Sequence, residues 1–436
     1  MKYKDWLQHK QLEYIDGKLF QGIHDVIELG KRYGTPLYIT NQDIIEFRYS
    51  SLEKKLKERY DKVRIHYAVK ANTNPSVLKV LNKLGAHVDC VSTGEITFAL
   101  NAGFDPQKIL YTGNNQTEEE LHYALEKGVN INLDAISQVL KIKNMVGNTG
   151  NLPLISFRVN PEMGAGHHDH CITGGRNVKF GILDEQIIEA YKHAKDMGFT
   201  RFGIQTHIGS GILDIKPFKK AMKRYLEIVG NVARELNIKF EFIDFGGGIG
   251  IPYKPEQEPL DLDAYADVLT DLFKKCCDEN DLGNPYFVIE PGRYIACEST
   301  ILLVQVNTVK NTPYKNFVGV NAGFNTLVRP AMYGSYHHVI PCVDKPKAEI
   351  KTYDIVGQIC ESGDVFARDR EIKKIEEKDY LVIMDAGAYG FSMASEYNTR
   401  PLPAELLLHG EQAALMRERQ TLDDLMRHVN VPSWLK

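Results

Sequence analysis

From about Asn41 to Tyr294, short runs crowded with β-branched and aromatic residues alternate with stretches whose apolar positions recur at helical spacing. The strand-like runs are VRIHYAVK ending at Lys70, AHVDC ending at Cys90, KILYT ending at Thr112, VNINLD ending at Asp134, LISFRVN ending at Asn160, RFGIQTH ending at His207, FEFIDF before Gly246, and YFVIE ending at Glu290. Between them PSVLKVLNKLG, TGEITFALNAG, TEEELHYALEKG, DEQIIEAYKHAKDMG and FKKAMKRYLEIVGNVAREL predict helices, several opened by Ser, Thr or Asp and closed by glycine. Alternating strands and helices imply a parallel sheet, and eight units imply its closure into a (β/α)8 TIM barrel. An open doubly wound sheet accounts for the alternation but not for the count of eight.

Beyond Tyr294 the text turns strand-rich: STILLVQVNTVKN, NFVGVNAGF, EIKTYDIVGQIC, DYLVIMDAGAYGF, and AELLLHGEQAALMRERQT, which reads as a hairpin turning at His409-Gly410. These runs predict a second, mostly antiparallel β domain. The expected fold is therefore α/β, with a barrel over residues 41–294 and a β-rich domain made of 295–436 joined by 1–40, which contain TPLYIT.

Composition narrows the function. The chain has 436 residues, 43% apolar and 25% charged, which excludes disorder and fibrous repeats and leaves room for two domains. With 53 basic against 57 acidic residues the net charge is −4, so the positive field that nucleic-acid binding needs is missing. The basic run FKKAMKR reads as a solvated helix face. The opening MKYKDWLQHKQLEY is too polar for a signal peptide, and no apolar run is long enough to span a bilayer. A cytoplasmic protein with a small-molecule partner is the expectation. Seven scattered cysteines, Cys90, Cys171, Cys276, Cys277, Cys297, Cys342 and Cys360, form no CxxC pair and read as reduced thiols rather than as disulfides or a zinc site.

Barrels of this kind do chemistry at the carboxyl ends of their strands. Lys70, followed by the turn-forming ANTNP, points into the mouth, where apolar and cationic neighbours would leave its amine nucleophilic and open to Schiff-base chemistry. An isolated lysine there reads more simply as a solvated side chain, so its weight comes from its companions. GGGIG (Gly246 to Gly250) follows the seventh strand, and the loops after strands seven and eight are the habitual phosphate pocket of this barrel. Taken alone, a glycine triplet is a weak signal and reads more readily as a plain flexible turn. Ser210 and the glycines of HIGSG add donors, and EPGRY (Glu290 to Tyr294) sets a carboxylate and an arginine at the rim, where a salt-bridged domain junction is the bland alternative. His207 alone would be a core histidine. The set as a whole is harder to dismiss.

HYAVKAN around Lys70, HIGSG after His207, DFGGGIGIPY from Asp244, EPGRYI from Glu290, CESGD from Cys360 and DAGAYGFSMASEYNTRPLPAELL from Asp385 resemble, in order and spacing, the diaminopimelate decarboxylases, pyridoxal-phosphate enzymes built like alanine racemase and eukaryotic ornithine decarboxylase. The resemblance covers nearly the whole chain. It implies that Lys70 holds pyridoxal 5'-phosphate covalently and that His207 stacks on its ring, with Glu290 paired to the ring nitrogen. Ser210, Gly247, Gly248, Gly292 and Tyr389 would grip the cofactor's phosphate, and Arg293 would also bind the cofactor. A racemase of this fold puts an arginine where Glu290 stands, so Glu290 favours decarboxylation.

The substrate positions implied are Arg293, Arg329, Tyr333, Glu361 and Tyr389. Diaminopimelate carries an amino-acid group at each end, so the end that does not react needs a cation for its carboxylate and an anion for its ammonium. Arg329 and Glu361 suit that requirement, whereas ornithine needs only an anion. The lesser alternative for Arg329 is a surface residue before a proline turn. Cys360 is implied as the acid that returns a proton to the α-carbon, on a segment that reaches into the partner subunit, which makes a homodimer with shared sites. The alternatives are another basic or polyamine-related amino-acid decarboxylase of this fold, or a catalytically silent relative, against which Lys70 and Cys360 both count. GAGHHDHCITGG (Gly164 to Gly175) invites a metal reading, but adjacent side chains on one loop rarely converge on an ion, and no metal is expected. In the family this segment is a mobile loop over the site. Cys276-Cys277 reads as helix packing.

Overall fold

A computed structural model describes residues 3–147, 152–164, 175 and 177–435. The Gly164–Gly175 segment, with Cys171, lies almost wholly outside the described residues. The chain divides into two compact units, one of residues 46–251 and 258–295, the other of residues 1–45, 252–257 and 296–436.

The first unit is a closed parallel barrel. Its strands are Val63–Ala68, His87–Cys90, Ile109–Tyr111, Asn130–Leu133, Ile155–Asn160, Phe202–Thr206, Phe240–Asp244 and Tyr286–Ile289. Each pairs with its neighbours in chain order, and Tyr286–Ile289 returns to Val63–Ala68 to close the ring. All eight predicted strands are present, and the predicted α/β architecture holds.

The helices form where the chain supplies caps. Asn74 accepts from the Ser76 amide ahead of Pro75, Ser92 accepts from Glu95, and Thr117 and Glu120 make a reciprocal capping box. Gly128 ends that last helix in the left-handed conformation, with φ 70°. Cys276 and Cys277 are buried in the helix Leu262–Glu279, as packing groups.

One expectation needs correction. The first strand stops at Ala68, and Lys70 lies in a 3-10 turn, Val69–Ala71, rather than at a strand end. Asn72 Oδ1 accepts from the Asn74 amide at 3.1 Å and Asn74 Oδ1 from the Ser76 amide at 2.9 Å, so side chains replace the ladder and turn the chain early. His207 and Glu290 likewise sit one residue past their strands.

The second unit centres on a mixed, mostly antiparallel sheet. Its main path runs Val365–Lys373, Ile350–Val356, Asn316–Val320, Thr300–Asn311, Leu37–Asn41, Ala404–His409 and Gln412–Arg417. Leu37–Asn41, from TPLYIT, pairs antiparallel with Thr300–Leu303 and parallel with Ala404–Leu408. All five of its residues are buried because the sheet is covered on both faces: Tyr38 packs in one apolar cluster with Leu302 and Val304, Leu37 and Ile39 in another with Trp6 and Leu406. The hairpin turns at Gly410, φ 52°. The segment 252–257 belongs to this unit although it follows the glycine-rich loop of the barrel.

Candidate active site

At the carboxyl rim of the barrel, Lys70, His207, Ser210, Gly247, Gly248, Glu290, Gly292 and Arg293 come together as an interlocked set. Lys70, about a third exposed at its side chain, pairs through Nζ with Asp89, which also accepts from the Thr112 hydroxyl. The neighbour meeting the amine is therefore a buried carboxylate, not the apolar and cationic surroundings expected. The reason is that Asp89 is fully buried and a buried carboxylate needs a cation beside it.

His207 Nδ1 accepts from the Gly247 amide at 3.0 Å, which leaves the ring proton on Nε2. Burial first, then the charges of Arg158 and Lys70, hold the imidazole well below its ordinary pKa, so it presents a neutral ring face. The glycine triplet is demanded by close packing. A Cβ on Gly246, whose φ is +67°, would lie 2.2 Å from the Thr206 carbonyl oxygen, and one on Gly247 would lie 2.4 Å from that of Glu290. Two amides of the triplet already donate inside the protein, Gly246 to Asp244 Oδ1 at 2.8 Å and Gly247 to His207. On the same rim Ser210 Oγ accepts from Nε and Nη2 of buried Arg293, both at 3.1 Å.

The floor of the site is acidic. Asp89, Asp244 and Glu290 are at most 4% exposed. Gln205 Nε2 donates to both Glu290 oxygens, at 3.3 and 3.2 Å. Burial, then the charges of Asp244 and Asp89, push the Glu290 carboxyl well above the usual range, and burial with the Asp89 charge pushes Asp244 up to about 7. These crowded carboxyls call for a cationic N–H group at Glu290, while Arg158 Nη2, buried and without a hydrogen-bond partner among the described residues, calls for an anionic oxygen. A protonated pyridine ring bearing an acidic oxygen meets both demands, so the residues present fit pyridoxal phosphate.

Asp89, Arg158, Gln205 and Asp244 were not singled out from the sequence. The available signal was a polar residue inside an otherwise apolar strand, at or near its carboxyl end, in HVDC, SFRVN, FGIQT and FID.

In the β-rich unit, Arg329 opens the short helix Arg329–Tyr333 and is 2% exposed, which removes the surface reading. Its Nη2 donates to Tyr253 Oη at 3.3 Å and Ser335 Oγ at 3.1 Å, and half-buried Tyr333 ends the same helix. Cys360 and Glu361 stand exposed on a turn. Buried Asp364 fastens that turn by accepting from the amides of Ile359 at 2.6 Å and Phe324 at 2.7 Å, and Glu361 accepts from the Tyr397 hydroxyl. Half-buried Tyr389 lies on a third segment, at φ 58°.

The family model described as pyridoxal-dependent decarboxylase, pyridoxal binding domain, matches residues 44–297. A diaminopimelate decarboxylase of Methanothermobacter thermautotrophicus is 50% identical over 422 residues, covering 96% of this chain and 97% of that one. Among solved structures, the diaminopimelate decarboxylase of M. jannaschii in complex with L-lysine aligns with TM-score 0.91 and 35% identity over 98% of this chain and 99% of that one. The Helicobacter pylori enzyme complexed with L-lysine aligns with TM-score 0.85 and 34% identity over 92% and 98%. With a barrel mouth fitted to the cofactor and likeness along nearly its whole length to these enzymes, the chain belongs to the diaminopimelate decarboxylases.

Proposed function

We infer that the protein removes carbon dioxide from meso-2,6-diaminopimelate to give L-lysine, the last step of lysine biosynthesis, with pyridoxal 5'-phosphate as cofactor. The observation that carries this reading is the rim itself, where a lysine, a neutral histidine face and a crowded carboxyl converge in one barrel mouth. When bound, the cofactor supplies an aldehyde for amines and a protonated ring that draws electrons from a breaking bond.

Lys70 would hold the aldehyde through its amine, His207 would face the ring, and Glu290 would face the ring nitrogen. Ser210, Gly247, Gly248, Gly292 and Tyr389 would bind the phosphate end, and Arg293 would also contact the cofactor. Asp89 keeps the Lys70 amine oriented into the mouth and is placed to exchange a proton with it. Arg329 would bind the carboxylate at the substrate's unreacting end and Glu361 its ammonium, with Arg293, Tyr333 and Tyr389 completing the substrate contacts. Cys360 would deliver its thiol proton to the α-carbon once carbon dioxide has left.

We further propose a homodimer in which the Cys360–Glu361 turn, exposed on the single chain, enters the site of a second copy. In this reading residues 41–294 bind the cofactor, while 1–40 and 295–436 supply substrate contacts and the dimer surface. The six described cysteines are all free, which supports a reducing compartment and hence the cytoplasm. No described helix is long and apolar enough to cross a membrane.

The test is carbon dioxide release from a substrate panel. Diaminopimelate should exceed ornithine, arginine and lysine by ~100-fold or more in kcat/KM, because a site built around Arg329 leaves a buried guanidinium unmatched by a substrate without the second carboxylate. Arg329→Leu should erase most of that preference. Equal rates across the panel would overturn the reading.

A further inference from the structure

Outside the residues assigned above lies a buried ionic knot centred on Lys10. Lys10, one residue past the helix Tyr3–His9, is 2% exposed. Its Nζ lies 2.7 Å from Asp385 Oδ1, 2.9 Å from Glu298 Oε1 and 3.3 Å from the Pro252 carbonyl oxygen, and 4.6 Å from the centre of the Trp6 ring. All of these residues belong to the β-rich unit. Burial pulls the Lys10 ammonium down in pKa, and the two carboxylates more than reverse the effect, so it stays charged.

Asp385 lies two residues ahead of the turn 387–390 that carries Tyr389, and both residues hold left-handed backbone, φ 59° and 58°. For a bulky tyrosine that conformation is costly and persists only where the surroundings impose it. The Ala386 amide donates to the Thr300 carbonyl at 2.8 Å and the Gly387 amide to that of Cys297 at 3.0 Å, so the backbone of the turn is clamped while Lys10 takes its leading side chain. The Asp385 carbonyl accepts from Cys297 Sγ at 3.1 Å, Cys297 Sγ lies 3.3 Å from Tyr253 Oη, and Tyr253 Oη accepts from Arg329. One ammonium is thus linked to both Tyr389 and Arg329.

We propose that Lys10 is a positioning residue for the reaction: gripped by Asp385 and Glu298, it fixes the turn carrying Tyr389 and, through Cys297 and Tyr253, the guanidinium of Arg329. This rests on the reading that Tyr389 binds the cofactor and Arg329 the substrate. A purely structural knot at this place would affect the melting temperature alone. A positioning knot also affects binding by protein that is fully folded.

The experiment measures pyridoxal phosphate affinity by fluorescence titration, and KM for diaminopimelate, in Lys10→Met, Tyr389→Phe and the double variant, each checked for folding by circular dichroism. Lys10→Met should weaken cofactor binding about tenfold and raise KM by a similar factor, the scale expected when a binding group is misplaced by a fraction of an ångström. The double variant should bind the cofactor no more weakly than the weaker single one. Folded Lys10→Met with unchanged affinity and KM would overturn the proposal. Should Lys10→Met not fold, Asp385→Asn, which keeps the shape and loses the charge, should still weaken binding about threefold, and unchanged binding there would overturn it too. Wild-type cofactor affinity in Tyr389→Phe would instead overturn the assignment of Tyr389, leaving Lys10 to be judged by KM through Arg329.

Discussion

The two units hold their candidate residues in contrasting ways. In the barrel four candidate groups are braced from the same rim: Lys70 by Asp89, His207 by the Gly247 amide, Glu290 by Gln205, Arg293 by Ser210. In the β-rich unit Arg329 is buried in a network, but Cys360 and Glu361 project from an anchored turn into solvent. The barrel groups are preorganised by one another, as a cofactor cradle should be. The other half presents Cys360 and Glu361 at an exposed surface, which is the physical reason for proposing a second copy.

Mixing two inactive variants gives that comparison its sharpest test. Lys70→Ala damages the barrel half and Cys360→Ala the projecting half, and each alone should lose ~100-fold or more of turnover. If the halves come from different chains, an equal mixture of the two should regain about a quarter of wild-type activity, since half of the dimers are mixed and each of those has one intact site. No recovery after subunit exchange would place both halves in one chain.

A smaller effect probes the rigidity of the barrel. His66 and His87, paired across the first two strands, stack with centroids 5.0 Å apart and planes 3° from parallel. Burial, then the Arg64 charge, push His66 down to about 3, and burial with the His66 and Arg64 charges push His87 to about 2. Because both folded values lie below the ordinary 6.5, the stability they contribute is fully present above pH 6.5 and is lost as the pH falls toward 3. For His66 the loss should reach roughly 3–5 kcal/mol. His66→Phe keeps the stack and removes the charge, so its acid-unfolding midpoint should move to lower pH in a denaturation series, with neutral-pH stability changed by less than about 1.5 kcal/mol. An unchanged midpoint would remove this pair from the acid response.

The barrel was legible because its strands and capped helices keep two clear periodicities, and strand counting then located the rim. What spacing could not supply was the set of braces. Asp89, Gln205 and Asp244 sit singly inside apolar strands, and nothing local says which way such a residue faces until the ring closes. Spacing puts Lys70 at a strand end, whereas the Asn72 and Asn74 side chains accept from the amides of Asn74 and Ser76 and the strand stops at Ala68. The roles given to Arg329, Glu361 and Cys360 came from motif resemblance. Burial explains Arg329 afterwards, but the exposure of the Cys360 turn has no signature in a run of small and polar residues. Lys10 was invisible, since its partners lie 288 and 375 positions along the chain, at Glu298 and Asp385.

The central claim is that the Lys70 amine holds pyridoxal phosphate. Protein purified with its cofactor, reduced with borohydride, digested and weighed by mass spectrometry should carry the added pyridoxyl phosphate mass on the peptide containing Lys70, and Lys70→Ala protein should carry none. The mass appearing on a different lysine, or persisting in the Lys70→Ala protein, would contradict the account.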